Sequence, residues 1–233
     1  MSKCLLLQFK GPLQSWGADS RYGIRQTHHV PTKSGTLGLL AAAQGRRRSD
    51  SLEDLVALDF GVRVDQPGSL LRDYQTAIDW NKQSNARLSQ RYYLADALFV
   101  VSIGGEEQVL RRLEDAVRAP VFPLYLGRRN CPVSPDLVIG IRDGDVEEVL
   151  RSQPWMASQR HKKTRPKTVE LPLYRDALQS EIVEERVRDI PVSFDQTFRD
   201  YRWRTVTSPA PVNVENEFGT VLKDPFWEAV IDA

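Results

Sequence analysis

The chain has 233 residues, with 32 Lys and Arg against 31 Asp and Glu and a net charge of +1. Hydrophobic residues make up 41%, enough to bury the core of one large domain, or of one domain with a smaller second lobe; no apolar run approaches the ~20 residues a membrane helix needs. Cys4 and Cys131 stand far apart, which excludes a disulfide scaffold and a paired-cysteine zinc site.

The N-terminus runs at once into Leu5-Leu6-Leu7, which reads as a strand over 4–9 rather than a signal segment, so a cytoplasmic location is expected. A long Gly/Pro/Thr-containing loop over 10–32 leads to a helix over 34–45, with Thr32 or Ser34 as its cap. A second helical stretch over 51–58 has Glu53 and Asp54 in its first turn, where the dipole favours acids. Phe60, Val62 and Val64 alternate with polar residues at strand period, and 97–103 reads as another buried strand. Residues 106–118 form an amphipathic helix with Val109, Leu110, Leu113 and Val117 on one face. Strands over 121–125 and 137–141 follow. The order is β-α-β-β-α-β, the ferredoxin-like α+β pattern that RNA-recognition folds also use.

Some thirty polar and aromatic residues separate Val64 from Ala97, and an insertion of that length in a compact domain is functional or disordered. Beyond Gln153 the pattern weakens. The run RHKKTRPK over 160–167 reads as a mobile basic segment, and 169–174, 182–187 and 201–207 read as strands of a small C-terminal β-rich extension. The division expected is a core over 1–150, with its insertion at about 68–96, and an extension over 151–233.

Charge is distributed unevenly. Residues 1–48 carry eight Lys/Arg and one acid, whereas 176–233 carry six Lys/Arg and twelve Asp/Glu. The basic head therefore suits a polyanion. Arg outnumbers Lys by 24 to 8; this fits phosphate recognition, and a genomic composition bias gives the same ratio.

No nucleophile elbow, zinc-protease helix, C-x-x-C or phosphate-binding P-loop is present, so neither metal nor cofactor is expected. Gly35-Thr-Leu-Gly38 matches the G-x-x-G of KH domains by letter, but inside a helix, where the glycines serve close packing. Histidine, the usual general base near neutral pH, occurs only as His28, His29 and His161. A metal-independent endoribonuclease using one of them beside Lys33 is the rival to a binding protein.

Four segments favour RNA. Thr32-Lys33-Ser34 opens a helix, whose N-terminus attracts anions. Leu126-Gly-Arg-Arg-Asn-Cys-Pro132 offers two adjacent arginines on a loop, and it reads equally as a solvated turn. The insertion interleaves Arg72, Lys82, Arg87 and Arg91 with Tyr74, Trp80, Tyr92 and Tyr93, the composition of a single-strand stacking surface; Tyr93 reads better as the start of the next strand. The segment from Gly11 through Trp16 and Arg21 to Arg25 either walls a groove or packs Trp16 into the fold.

Taken together, LQFKGPLQSWG (7–17), PTKSGTLGLL (31–40), RDYQT (72–76) and PLYLGRRNCP (123–132) resemble the CasD family of type I-E CRISPR Cascade subunits, in the RAMP superfamily. The motifs lie in register across about residues 4–140. The resemblance implies an RRM-like domain with a β-hairpin thumb that caps the 5′ handle of the crRNA without cutting it. It implies as partners the Cascade backbone subunit, the large PAM-reading subunit and target DNA near the PAM-proximal seed, and no membrane. Carried over by motif, the RNA-binding residues are Arg25, Lys33, Ser34, Gly35, Arg72, Tyr74, Arg91, Gly127, Arg128 and Arg129, with Arg91 as the candidate wedge at the handle–spacer boundary.

Overall fold

A computed structural model describes residues 2–17, 23–78, 86–178, 181, 185–195 and 198–219. The chain opens with β1 (Lys3–Lys10) and four two-residue strands, β2 (Leu13–Gln14), β3 (Trp16–Gly17), β4 (Ile24–Arg25) and β5 (Thr27–His28). Helix α1 (Lys33–Ala43) and the short α2 (Glu53–Val56) precede β6 (Asp59–Gln66), β7 (Ser69–Ala77), β8 (Arg87–Ala95) and β9 (Leu98–Gly105). Then come α3 (Glu107–Arg118), β10 (Val138–Asp143), α4 (Val146–Ser152) and α5 (Gln159–Lys163). The described chain closes with β11 (Thr168–Leu171), β12 (Leu173–Asp176), β13 (Glu185–Phe194), β14 (Arg199–Thr207) and β15 (Val212–Glu215).

Among the described residues the largest sheet has seven strands in the order β10-β1-β9-β6-β12-β14-β13, and every pairing in it is antiparallel. Both faces of its centre are covered, which explains the unbroken apolar run in β1. Leu5, Leu7 and Phe9 point into a core shared with α1 and α3, while Cys4 and Leu6 point into a second core with α4, Trp155 and Leu173. On α3 the buried positions Leu110, Leu113 and Val117 follow the helical period. Helix α1 is capped by Thr32, whose hydroxyl accepts from the Gly35 amide, and it ends at Gly45, whose φ of +77° supplies the left-handed turn.

The C-terminal strands enlarge this sheet, since β12 hydrogen-bonds to β6. A buried clamp fastens the junction. Arg63 on β6 donates to both Asp65 carboxylate oxygens, at 2.7 and 3.0 Å, and to the carbonyls of Leu150, Gln153 and Pro154. Asp65 in turn accepts from the amide of Met156 (2.6 Å), and its carbonyl accepts from the Trp155 indole (2.8 Å). Both charged side chains are fully buried, a state tolerated only because every polar atom finds a partner.

Strands β7 and β8 pair as a long antiparallel hairpin, in register from Ser69↔Ala95 to Ala77↔Arg87. At its root β2 pairs with β8 in the antiparallel sense, and further out β4 pairs with it in the parallel sense. Trp80 and Lys82 of the expected stacking surface, and Arg21 of the early loop, lie outside the described residues.

Two sequence expectations are corrected. Residues 121–125 are not a strand: Pro120 and Pro123 remove backbone donors, and the amides of Val121 and Phe122 bond back to Ala43 and Ala42. The basic run over 160–167 is not loose. It begins as α5, capped by Ser158, and the Asn216 side-chain amide donates to the carbonyls of Lys162, Arg165 and Pro166.

Candidate nucleic-acid interface

The loop over 125–132 is a tight reversal. The Leu126 amide donates to the Cys131 carbonyl at 2.7 Å, and both side chains are buried. Gly127 sits at φ +84°, and a Cβ there would lie 1.7 Å from the carbonyl oxygen of Ser15. Only glycine permits this approach; it turns Arg128 and Arg129 toward the hairpin.

Between loop and hairpin lies a cleft of about 440 Å³. Five of its lining residues are arginines (Arg25, Arg48, Arg91, Arg128 and Arg129), and none is acidic. The parallel pairing of β4 with β8 sets Arg25 directly beside Arg91. Gln75 from β7, Tyr125 and Asn130 complete the wall. Among the described residues none of the five guanidiniums has a carboxylate within ion-pair distance. The Nε of Arg91 is buried and lacks a hydrogen-bond partner, a costly state that an incoming acceptor relieves.

The five differ in freedom. Arg128 is held in place, donating to the carbonyls of Tyr92 (3.3 Å), Arg25 (3.0 Å) and Gln26 (3.4 Å), with its guanidinium 4.8 Å from the centroid of the Tyr93 ring. It ties hairpin, early loop and reversal together while its charge remains in the cleft. Tyr93 lies within β8 and is buried, and its hydroxyl accepts from the Asn130 amide at 2.9 Å. Arg25, Arg48 and Arg129 are exposed.

Hairpin register separates residues that the sequence grouped together. Arg91 stands opposite Asp73 and Arg72 stands opposite Tyr92, so Arg91, Asp73 and Gln75 share one face, where Gln75 donates to Asp73 at 2.8 Å, while Arg72 and Tyr74 share the other. There Arg72 stacks over Tyr74 at 4.9 Å, and Tyr74 is half exposed.

The motif over 33–35 departs from expectation. The backbone amide of Lys33 donates to Asp189 (2.7 Å) and its ammonium to Asp176 (2.9 Å), with the side chain only 6% exposed. Arg204 bridges the same two carboxylates. The anion expected at the start of α1 is thus supplied by the chain's own C-terminal strands. Ser34 is half-buried and close to the Thr32 hydroxyl. Gly35 packs on Trp16, where a Cβ would meet the ring at 2.9 Å, and Trp16 is buried and stacked on Phe9. None of the three lines the arginine cleft.

Sequence reasoning missed Arg48, Gln75, Tyr125 and Asn130. The run Arg46-Arg47-Arg48 was the available signal for the first. Arg46 is spent on Asp54, and Arg48 alone reaches the cleft. None of the three histidines lines the cleft. His28 lies opposite Trp16 in the β3–β5 pair, and His161 packs edge-on to Trp155 at 6.3 Å and accepts from Arg165 at 3.2 Å.

Fold and site together define a mixed α/β chain, mostly antiparallel, with an arginine-lined cleft beside a long hairpin. The chain matches the family model described as CRISPR-associated protein (Cas_Cas5) over residues 4–207. It is 36% identical over 160 residues to the CRISPR system Cascade subunit CasD of Escherichia coli (strain K12), covering 60% of this chain and 71% of that protein. A solved structure titled "CRISPR RNA-guided surveillance complex" superposes with a TM-score of 0.75 at 30% identity, covering 98% of each chain. Another, titled "Crystal structure of Cas protein", gives 0.69 at 33% identity, covering 94% of this chain and 98% of that one. The chain belongs to the Cas5 family of CRISPR-associated proteins. No helix among the described residues is long and apolar enough to cross a membrane.

Proposed function

We propose that this chain is a non-catalytic subunit of a Cascade surveillance complex, and that its arginine cleft grips the backbone of the crRNA at the 5′ handle. The observation that carries the reading is the cleft itself: among the described residues, five arginines that meet no carboxylate within ion-pair distance, one with a buried Nε that has no hydrogen-bond partner. Such a surface repels cations and gains free energy from each phosphate it meets. Arg91 is the central contact, Arg25, Arg48 and Arg129 hold flanking phosphates, and Gly127 and Arg128 shape the wall.

A ferredoxin-like core is the scaffold. The strand order β10-β1-β9-β6, with α1 and α3 as its two crossovers, supports it. The hairpin β7–β8 is the thumb, and the Arg72–Tyr74 pair on its outer face is placed to stack on a base at the handle–spacer boundary. Residues 151–233 serve as the extension that buttresses α1 through Asp176, Asp189 and Arg204. Complex partners on either side of the thumb are the backbone subunit and the large PAM-reading subunit, which bring the target DNA close.

The test is co-expression with the other subunits and a repeat–spacer transcript, with and without the separate endonuclease. Mature 5′ ends that require the endonuclease, and that Arg91→Gln leaves unprotected, support the reading. Ends produced by this chain alone and abolished by His28→Ala or His161→Ala would establish the endoribonuclease instead.

A further inference from the structure

The basic run over 160–167 takes no part in the arginine cleft. Arg160, Lys163, Arg165 and Lys167 are all exposed, and among the described residues none meets a carboxylate within ion-pair distance. Arg46, Arg111, Arg118, Arg151 and Arg175, by contrast, each hold an acid. Four uncompensated charges within eight residues raise a local positive potential.

These charges stand on a built support. Ser158 caps α5 and its hydroxyl donates to Gln66 at 2.9 Å. Lys162 is turned inward, donating to the Trp155 carbonyl at 2.8 Å with its ammonium 5.0 Å from the Trp155 ring centroid. Asn216 gathers three carbonyls of the segment, as described above. The fold thus fixes the backbone of this run and leaves the heads of Arg160, Lys163 and Lys167 exposed, with Arg165 exposed and donating to His161.

Position adds the second argument. Gln66 ends β6 and leads into the hairpin, so α5 is fastened at the hairpin root. His161 on α5 feels Asp96, at the end of β8, while burial and Arg165 hold its imidazole toward the neutral form. The basic surface of α5 thus stands beside the hairpin root.

We propose that Arg160, Lys163, Arg165 and Lys167 form a second phosphodiester-binding surface, independent of base sequence. Four exposed cations along one fixed backbone segment favour a chain of repeating anionic charge, a nucleic-acid backbone, over an acidic protein segment. The backbone comes either from the RNA held in the cleft or from a separate DNA strand. The proposal does not depend on the cleft reading.

The experiment compares the full chain with two four-fold variants that remove equal charge. One is Arg160→Gln/Lys163→Gln/Arg165→Gln/Lys167→Gln. The other, a control on α3 and β10, is Arg111→Gln/Arg112→Gln/Arg118→Gln/Arg142→Gln. Fluorescently labelled RNA, single-stranded DNA and duplex DNA of unrelated sequence are titrated across a salt series, with thermal melting to confirm the fold. With about 0.7 in log–log salt slope per single-strand phosphate contact and about 0.9 per duplex contact, the first variant flattens the slope by about 3 and the control far less. Flattening for RNA alone assigns the surface to the strand in the cleft, and flattening for DNA assigns it to a separate strand. Equal slopes for both variants overturn the proposal. So does unchanged nucleic-acid binding accompanied by lost association with partner subunits. Arg91→Gln, run in parallel, reports on the cleft separately.

Discussion

Replacing Arg91 by Gln removes a charge and keeps a polar group at the centre of the cleft. The Arg91 Nε has no partner in the fold, so stability should change by no more than about 0.5 kcal/mol. Binding should respond differently. If all five cleft arginines meet phosphates of a single strand, the log–log salt slope is about −3.5, and affinity falls roughly 100-fold between about 50 and 200 mM salt. Without Arg91 the slope becomes about −2.8 and the same salt step costs roughly 50-fold. Lys33→Ala supplies the contrast, because its ammonium is committed to Asp176. It should lower the melting temperature and leave the slope unchanged. Anisotropy titrations with a labelled handle RNA read both quantities. A slope unmoved by Arg91→Gln, or flattened as much by Lys33→Ala, refutes the assignment of the cleft.

Gly127→Ala should displace the 125–132 reversal, since its Cβ cannot coexist with the Ser15 carbonyl; handle affinity should fall more than for Arg129→Gln alone, measured in the same titration. Arg63→Met leaves Asp65 buried without its counter-charge and should destabilise the chain by about 3–5 kcal/mol, read by urea unfolding. The His161 imidazole is held below 6.5, chiefly by burial and then by Arg165. Its neutral form belongs to the folded state, so stability should decline as pH falls through about 6.5. His161→Gln should remove that component from melting curves taken between about pH 7 and pH 5; identical pH dependence in both proteins would contradict the assignment.

What could be read in advance was the local and the periodic. The run Leu5-Leu6-Leu7 announced a strand, the spacing of Leu110, Leu113 and Val117 announced α3, and of the two caps the sequence offered for α1, Thr32 and Ser34, the first is the one used. The failures came from distance. Nothing near Lys33 reveals that Asp176 and Asp189, 143 and 156 residues away, claim its ammonium and its amide. Residues 121–125 carry strand-forming side chains, yet two prolines and the carbonyls at the end of α1 decide their course. Arg72, Tyr74 and Arg91 looked like one surface because alternation says nothing about which residue of β7 faces which of β8. Register splits them, and only Arg91 reaches the cleft. Arg48 went unnoticed because the third arginine of a run looks like its neighbours until Asp54 claims the first.

The buried clamp around Arg63 bears on how the chain is made. As it leaves the ribosome, β1, α1, β6 and β9 emerge while the three carbonyls that receive the Arg63 guanidinium, at 150, 153 and 154, are still to come. Until they arrive, closing the sheet over that guanidinium would strand it in an apolar interior with Asp65 as its sole company. The nascent sheet should therefore wait, partly open, for residues that lie beyond β10. The strands on either side of the clamp then close in one step.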